Sequence, residues 1–308
     1  MLQSTFRFLS ALLLSASMVS ADSWQPLWQP KENTPGYDAA APAEYKLDAE
    51  RTTSIHMPAY SLYLPEGRPG KPMPAVCIFP GGAYCILALD LEGSEIAGWL
   101  NKQGIAAIVV KYRVSSDPKH PEKFPHQLMD ARRAIRTVRF RAKEWNIDPD
   151  KIGVIGFSAG GHLAALATTW KDDVPGETDD EIDKVSPAVN FGMFIYPVVS
   201  MGKPYTHGSL KGLFPAQYAG GEGAARVSPD RQVTAQTPPL FVVQAADDFV
   251  SPLNSLDIVR AAQEKGVPVE YHLYRAGGHG YGVRKQGKPT DAWPQAAEKW
   301  LEQFKPGS

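Results

Sequence analysis

The sequence predicts an α/β fold: a mostly parallel central sheet with helices on both faces. Three observations predict it. Short apolar runs alternate along the chain with segments of helical period, the order expected when crossover helices join parallel strands. Several of those runs are apolar without a break, such as "AVCIF" at 75–79, which suits strands buried on both faces. The chain has 308 residues, 43% of them apolar, enough for one large core, and no internal repeat divides it.

The elements follow in chain order. Residues 1–21 place Arg7 ahead of an apolar stretch from Phe8 to Val19, with small or modest residues at Val19, Ser20 and Ala21. This reads as a secretory signal peptide cleaved near Ala21, and it predicts a secreted or periplasmic protein with no stable membrane insertion after cleavage. A short uncleaved anchor is the other reading. Residues 22–50 are rich in Pro, Ala and Trp, without helical or strand period. They predict an extended N-terminal arm in which Trp24 and Trp28, each followed by Gln-Pro, either pin the arm to the domain or stack on sugar rings. Residues 51–308 are expected to form one domain.

In that domain "SIHMPAYSLYLP" and "MPAVCIFP" read as strands, "LEGSEIAGWLNKQG" as a helix closed by Gly104, and "IAAIVVKYRV" as a strand. "FPHQLMDARRAIRTVRFRAKEWNI" reads as a long helix with Leu128, Ala131, Ile135, Val138, Ala142 and Trp145 on its apolar side. Arg132, Arg133, Arg136, Arg139 and Arg141 are expected on its solvated side. "KIGVIGF" is the next strand and "GGHLAALATTW" the next helix. Strands "VNFGMFIYPVV", "LFVVQA" and "VEYHLYRA" follow, with helices "NSLDIVRAAQEKG" and "DAWPQAAEKWLEQF". From Ser200 to Thr237 the rhythm breaks, and this excursion is expected to cover part of a site.

Composition narrows the function classes. A formal charge of −1 gives no footprint for a nucleic-acid partner, and beyond the start no uncharged apolar run of about 18 residues occurs. Cys77 and Cys85 lie too close for a bridge that spares the intervening turn, so both are expected as free, buried thiols. The acidic stretch "DDVPGETDDEID" at 172–183 lacks the Gly and Glu spacing of an EF-hand loop and reads as a solvated loop, not a Ca²⁺ site.

The chemistry is expected around Ser158. Gly156-Phe157-Ser158-Ala159-Gly160 stands between a strand and a helix, where a nucleophilic serine must take a strained left-handed backbone and side chains two residues away would collide. The helix N-terminus then points at the serine and favours a developing oxyanion. A serine hydroxyl needs a base, an orienting group for that base, and donors for the tetrahedral intermediate. In "FPGGAYC" the N–H groups of Gly82 and Ala83 are the expected donors, joined by that of Ala159. Among seven histidines, His279 in "AGGHGYG" has the loop setting after the last strand, where a base can reach the sheet's C-terminal edge. His162, on the first turn after the elbow, is expected to brace that turn. "LFVVQAADDFVSP" ends a strand in two aspartates, and their spacing leaves Asp247 and Asp248 both open as the orienting group.

The segments "FPGGAY", "EGSEIAGWLNKQGIAAIVVKYRV", "DARRAIRTVRFRAKEWNIDPDKIGVIGFSAGGHLAA", "TPPLFVVQAADDFVSPLNSL" and "YRAGGHGYG" occur in an order that resembles the α/β-hydrolase superfamily over about residues 50–305. More narrowly, the chain resembles exported bacterial carbohydrate esterases of the acetylxylan esterase type, related to feruloyl-esterase-like domains. The resemblance implies the α/β-hydrolase fold and places the catalytic aspartate four residues before a proline, which matches Asp248 and Pro252. Asp247 is then a neighbour that holds the loop. The chain departs from the pattern at Ala83, where a third glycine is common, and at Pro80, where many esterases carry His. By this likeness Ser158, His279 and Asp248 form a catalytic triad that hydrolyses acetyl esters of xylan or related saccharides through an acyl-enzyme, with no metal and no cofactor. Tyr84, Tyr281 and the 200–237 excursion are expected to shape the acyl and sugar pockets. A small-ester carboxylesterase without sugar preference is the alternative function, and a non-catalytic binding module on the same scaffold is the other class.

Overall fold

Alternation along the central strands sets the layers. In Met73–Phe79, buried at every position, Met73, Ala75, Cys77 and Phe79 join one core, while Val76 and Ile78 join the other, as side chains on alternate faces must. The computed structural model describes residues 23–29, 31–67, 70–174, 180–218 and 220–306; the expected signal peptide and residues 175–179 of the acidic stretch lie outside the described residues.

The strands are β1 (Gln25–Pro26), β2 (Tyr45–Lys46), β3 (Arg51–Thr53), β4 (Ala59–Tyr63), β5 (Met73–Phe79), β6 (Ile86–Ala88), β7 (Ala106–Lys111), β8 (Ile147–Phe157), β9 (Phe191–Ile195), β10 (Leu240–Ala245) and β11 (Val269–Tyr274). The helices are α1 (Glu95–Lys102), α2 (His126–Phe140), α3 (Ala142–Trp145), α4 (Ser158–Thr169), α5 (Gly208–Leu213), α6 (Gly221–Arg226), α7 (Leu253–Glu264) and α8 (Trp293–Leu301). Eight strands form the main sheet in the order β1-β4-β7-β5-β8-β9-β10-β11. Pairing is antiparallel at β1–β4 and β4–β7 and parallel from β7 to β11. A small antiparallel sheet, β2-β3-β6, lies apart from it.

Helices cover both faces. Leu128, Ile135 and Val138 of α2, Leu163 and Leu166 of α4, and Ile258 of α7 belong to one core layer. Ile96 and Leu100 of α1 and Ala297 and Leu301 of α8 belong to the other. The parallel strands end at one edge, and there β5 delivers Gly81–Ala83, β8 delivers Ser158, β10 delivers Asp248 and β11 delivers His279. Among the described residues no helix is long and apolar enough to cross a membrane.

Two expectations change. The arginine face of α2 is largely covered: Arg132, Arg133 and Arg136 are buried, while the Arg141 side chain stays 40% exposed. Arg133 donates to both carboxylate oxygens of Asp180, at 2.5 and 2.6 Å, and to the Leu27 carbonyl. Arg136 donates to the Val185 carbonyl, and Arg139 to those of Ser186 and Ala188. A planar guanidinium with five donors can be buried when carbonyls and carboxylates meet it, and here the arm and the 180–188 segment bring those acceptors. Part of the acidic stretch therefore closes over α2. Cys85 is exposed while Cys77 is buried, and both are free. The Ser200–Thr237 excursion is helical in part, through α5 and α6.

The two arm tryptophans part company. Trp28 is buried, with the guanidinium carbons of Arg113 and Arg133 at 5.7 and 5.5 Å from its ring, and so pins the arm through burial and cation–π contact. Trp24 is half-buried beneath the ammonium of Lys111, 4.8 Å from its ring, and lines a cavity of about 200 Å³ with Tyr45 and Tyr63. His162 of α4 is fully buried. Its Nε2 lies 2.9 Å from the Val227 carbonyl and its Nδ1 2.8 Å from the Tyr84 hydroxyl. Since a carbonyl only accepts, Nε2 carries the proton and Nδ1 accepts from Tyr84.

Two outcomes follow from this packing. Trp28→Ala is expected to lower stability by roughly 3–5 kcal/mol, and Trp24→Ala by much less, measured as paired urea or thermal melts. Burial pushes the His162 imidazole down to about 4, with the Val227 carbonyl opposing that shift. The unfolded chain then binds the extra proton first, so the stability held by neutral His162 is complete above about 6.5 and is lost as the pH falls towards 4. The loss is on the order of 3 kcal/mol. His162→Gln is expected to be less stable at pH 7 but to lose stability less steeply over that window, read by thermal melts across pH.

Candidate active site

Ser158 follows β8 directly and opens α4 with a φ of +54°, the left-handed region where a side chain is strained. The glycines around it explain how this turn closes. A Cβ on Gly156 would lie 2.1 Å from the Gly160 carbonyl oxygen, and one on Gly160 would lie 2.1 Å from the Phe79 carbonyl oxygen. Neither position admits any other residue without backbone movement.

Ser158 Oγ lies 2.8 Å from His279 Nε2, and His279 Nδ1 lies 2.8 and 2.9 Å from the two carboxylate oxygens of Asp248. The Asp248 side chain is 0% exposed and that of His279 14%. A carboxylate only accepts, so Nδ1 donates to Asp248 and Nε2 is left as the acceptor facing the serine hydroxyl. Asp248 is itself held: Oδ1 accepts from the Val250 N–H at 2.8 Å and Oδ2 from the Gln244 amide at 2.9 Å. Ser255 donates to the Gln244 carbonyl oxygen and fixes that amide.

The neighbouring aspartate faces elsewhere. Asp247 Oδ1 accepts the N–H groups of Gly277 and Gly278, each at 2.8 Å, and thereby ties down the loop that carries His279. Those two N–H groups, Gly278 foremost, hold its carboxyl below the usual carboxylate range.

Above Ser158 the chain after β5 takes three consecutive positive φ values, +136° at Gly82, +56° at Ala83 and +62° at Tyr84. The Gly82 carbonyl accepts from Cys85 N–H and Ile86 N–H, and the Gly81 N–H donates to Glu92. Ala159, on the first turn of α4, has a backbone N–H with no carbonyl four residues earlier in the helix. Gly82, Ala83 and Ala159 are therefore all drawn to the one sheet edge.

The two tyrosines expected to shape the pockets are both buried, and Tyr84 lines a cleft beside Ala83. Tyr84 is only 4% exposed and its hydroxyl points inward to His162. Tyr281 is 1% exposed and packs edge-on against Tyr196, with ring centroids 4.5 Å apart. Burial pushes both phenols upward. In each case aromatic packing from a distant segment turns the ring inward. The exposed aromatic at the site is Phe249, 74% exposed, its ring 4.6 Å from that of His279. Its signal in the sequence is an aromatic residue directly after the two aspartates that end the strand. Gln244 also had one, a polar residue in the apolar run "LFVVQA". Among the described residues no group of three His, Cys, Asp or Glu side chains is arranged to hold a metal ion.

A model of the BD-FAE family matches residues 60–261. The acetylxylan esterase of Xylanibacter ruminicola is 34% identical over 245 residues, 78% of this chain and 47% of that protein. Endo-1,4-beta-xylanase B of Butyrivibrio fibrisolvens is 33% identical over 211 residues, 67% of this chain and 32% of that protein. The chain spans about half the length, or less, of these curated relatives. The crystal structure of an acetyl ester-xyloside bifunctional hydrolase from Caldicellulosiruptor lactoaceticus aligns with a TM-score of 0.80 and 34% identity, covering 94% of this chain and 98% of that one. With the family model spanning well over half of its residues and a solved structure aligned over 94% of its length, the chain belongs to the BD-FAE family and has the α/β-hydrolase fold.

Proposed function

We propose that the chain is a serine esterase that removes acetyl groups from xylan or related plant saccharides. The observation that carries the reading is the hydrogen-bonded line from Ser158 through His279 to Asp248. The Ser158 hydroxyl attacks the ester carbonyl while His279 Nε2 takes its proton. Asp248 keeps the imidazole in the accepting tautomer and stabilises the imidazolium. The N–H groups of Gly82, Ala83 and Ala159 receive the tetrahedral oxyanion. Collapse breaks the bond to the leaving alcohol, which takes its proton from His279. Water then attacks the acyl-enzyme with the same base, releasing acetate and restoring the serine. This chemistry calls for no metal or cofactor.

Two observations bear on the alcohol. Relatives at 34% identity are named for acetylxylan and acetyl ester-xyloside hydrolysis. Beside the Ala83 turn, a cleft of about 410 Å³ is lined in part by Ser115, Ser116, Asp117, Lys123 and Ser209, groups suited to the hydroxyls of a sugar. The apolar face of Phe249 at the site favours a second reading, an esterase of small acyl esters without sugar preference. Export with cleavage near Ala21 belongs to the first reading, and sequencing the N-terminus of exported protein tests it.

Acetate release is expected from both acetylated xylan and p-nitrophenyl acetate, and Ser158→Ala is expected to lower kcat roughly 10⁴-fold or more. Release from the small ester alone would select the second reading. No release from either by folded protein would remove the esterase reading. The two aspartates are expected to differ: Asp248→Asn should cost roughly 10³–10⁴-fold in kcat. Asp247→Ala, which only frees the loop, should cost roughly ten- to a hundredfold.

A further inference from the structure

Glu92 is a glutamate buried to 4% exposure in the turn that precedes α1. Its Oε2 accepts the Gly81 N–H at 2.7 Å, and its Oε1 accepts the Tyr196 hydroxyl at 2.8 Å. The Tyr196 oxygen in turn accepts the Gly282 N–H at 3.2 Å. One carboxylate thus joins the residue before Gly82 to the loop three residues beyond His279. Contact distances leave this link little play. A Cβ on Gly81 would lie 2.6 Å from Glu92 Oε2, 2.7 Å from the Phe157 carbonyl oxygen and 3.0 Å from Ser158 Cβ, and one on Gly282 would lie 2.8 Å from Leu91 Cδ1. Gly81 is wedged between Glu92 and the serine turn, while Gly282 sits against the same Glu92-bearing turn. Tyr196 holds a positive φ of +39° directly after β9, with its ring 4.7 Å from that of His279. Such strain persists only where surrounding contacts hold it.

We propose that Glu92 is a positioning residue that holds the Gly82–Ala83 loop, through Gly81, and the His279 loop, through Tyr196 and Gly282, in fixed relation to Ser158. This rests on the esterase reading above and names how its two loops are kept in register. Every hydrogen-bonding neighbour of the carboxylate donates to it, so the ionised form is the one whose partners are all satisfied. Burial pushes the Glu92 carboxyl upward, and the Tyr196 and Gly81 donors and the charge of His279 oppose that. The titratable groups facing Glu92 are Tyr196, Tyr112 and His279; those facing His279 are Asp248, His207 and Tyr196. A proton on the carboxyl is one hydrogen more than Glu92, the Gly81 N–H and the Tyr196 hydroxyl can share, so one donor of the link loses its acceptor. Glu92→Gln is the permanent form of that state.

The test compares wild type, Glu92→Gln, Tyr196→Phe and the double variant of the full chain on p-nitrophenyl acetate, at equal folded fraction by circular dichroism. Glu92→Gln is expected to lower kcat roughly ten- to a hundredfold with KM held within about threefold, since the loop donors act on the transition state. The ratio of wild-type to Glu92→Gln kcat should fall towards one as the pH drops through the raised range of the Glu92 carboxyl, which a packing role would not produce. Tyr196→Phe cuts only the Gly282 branch and should cost less, and the double variant should cost less than the product of the two. A Glu92→Gln kcat within about twofold of wild type, or a ratio that does not change with pH, would overturn the proposal. Should Glu92→Gln fail to fold, an unchanged kcat in Tyr196→Phe overturns it instead. Active wild type with indifferent variants removes this proposal alone, whereas inactive folded wild type removes the esterase reading and this one with it.

Discussion

The left-handed backbone at Ser158 is the constraint around which the C-terminal edge of the sheet is arranged. A non-glycine residue at a φ of +54° costs about 1–3 kcal/mol and persists only under tight confinement. Confinement here comes from close backbone approach: the missing side chain of Gly160 lets α4 pass against the end of β5 at the Phe79 carbonyl. That contact brings the turn after β5 over the serine. The same helix then supplies His162, whose buried imidazole takes the Tyr84 hydroxyl and holds the far end of that turn. Elbow and overlying loop are parts of one packed unit, and neither backbone would keep its positive φ values without the other.

Polar groups do the remaining fastening, some through close neighbours and others through partners from distant parts of the chain. Asp248 is held by Gln244 and Val250, and Asp247 holds the glycines before His279. Arg113, just past β7, and Asp130 of α2 form an ion pair with both side chains at 0% exposure, and Arg133 of α2 joins Asp180, Asp183 and the Leu27 carbonyl. Removing one partner of such a pair costs far more than the pair adds over an apolar core. The arginines therefore commit the N-terminal arm and the 180–188 segment to one docked arrangement.

Much of the fold was legible because its signals are local. The alternation of apolar runs with helical periods marked β4, β5 and β7 to β11 and the helices α1, α2, α4, α7 and α8, and the uninterrupted run at 75–79 marked a central strand. The site was legible to the extent that it depends on backbone freedom and chain order. Gly156 and Gly160 flag a close approach, Ser158 follows a strand, and His279 follows the last one. The arginine face of α2 misled because helical period separates apolar from charged positions but carries no record of what covers the charged side. The burial of Tyr84 and Tyr281 was illegible for a related reason: a tyrosine beside a site reads the same whether its ring faces solvent or core.

The sequence by itself therefore determined the layered α/β architecture, the serine on its glycine-flanked turn and the order in which serine, aspartate and histidine occur, since these rest on periodicity and steric allowance within a few residues. Residue spacing left Asp247 and Asp248 open and the family resemblance pointed to Asp248; the tertiary structure has Asp248 turned to His279 and Asp247 to Gly277 and Gly278. It also decided that Trp28 is clamped and Trp24 is not, and that Glu92, one acidic residue among 33, lies beneath the Gly81 turn. Those outcomes depend on which distant segments supply hydrogen-bond partners and exclude water. No local pattern of residues encodes that.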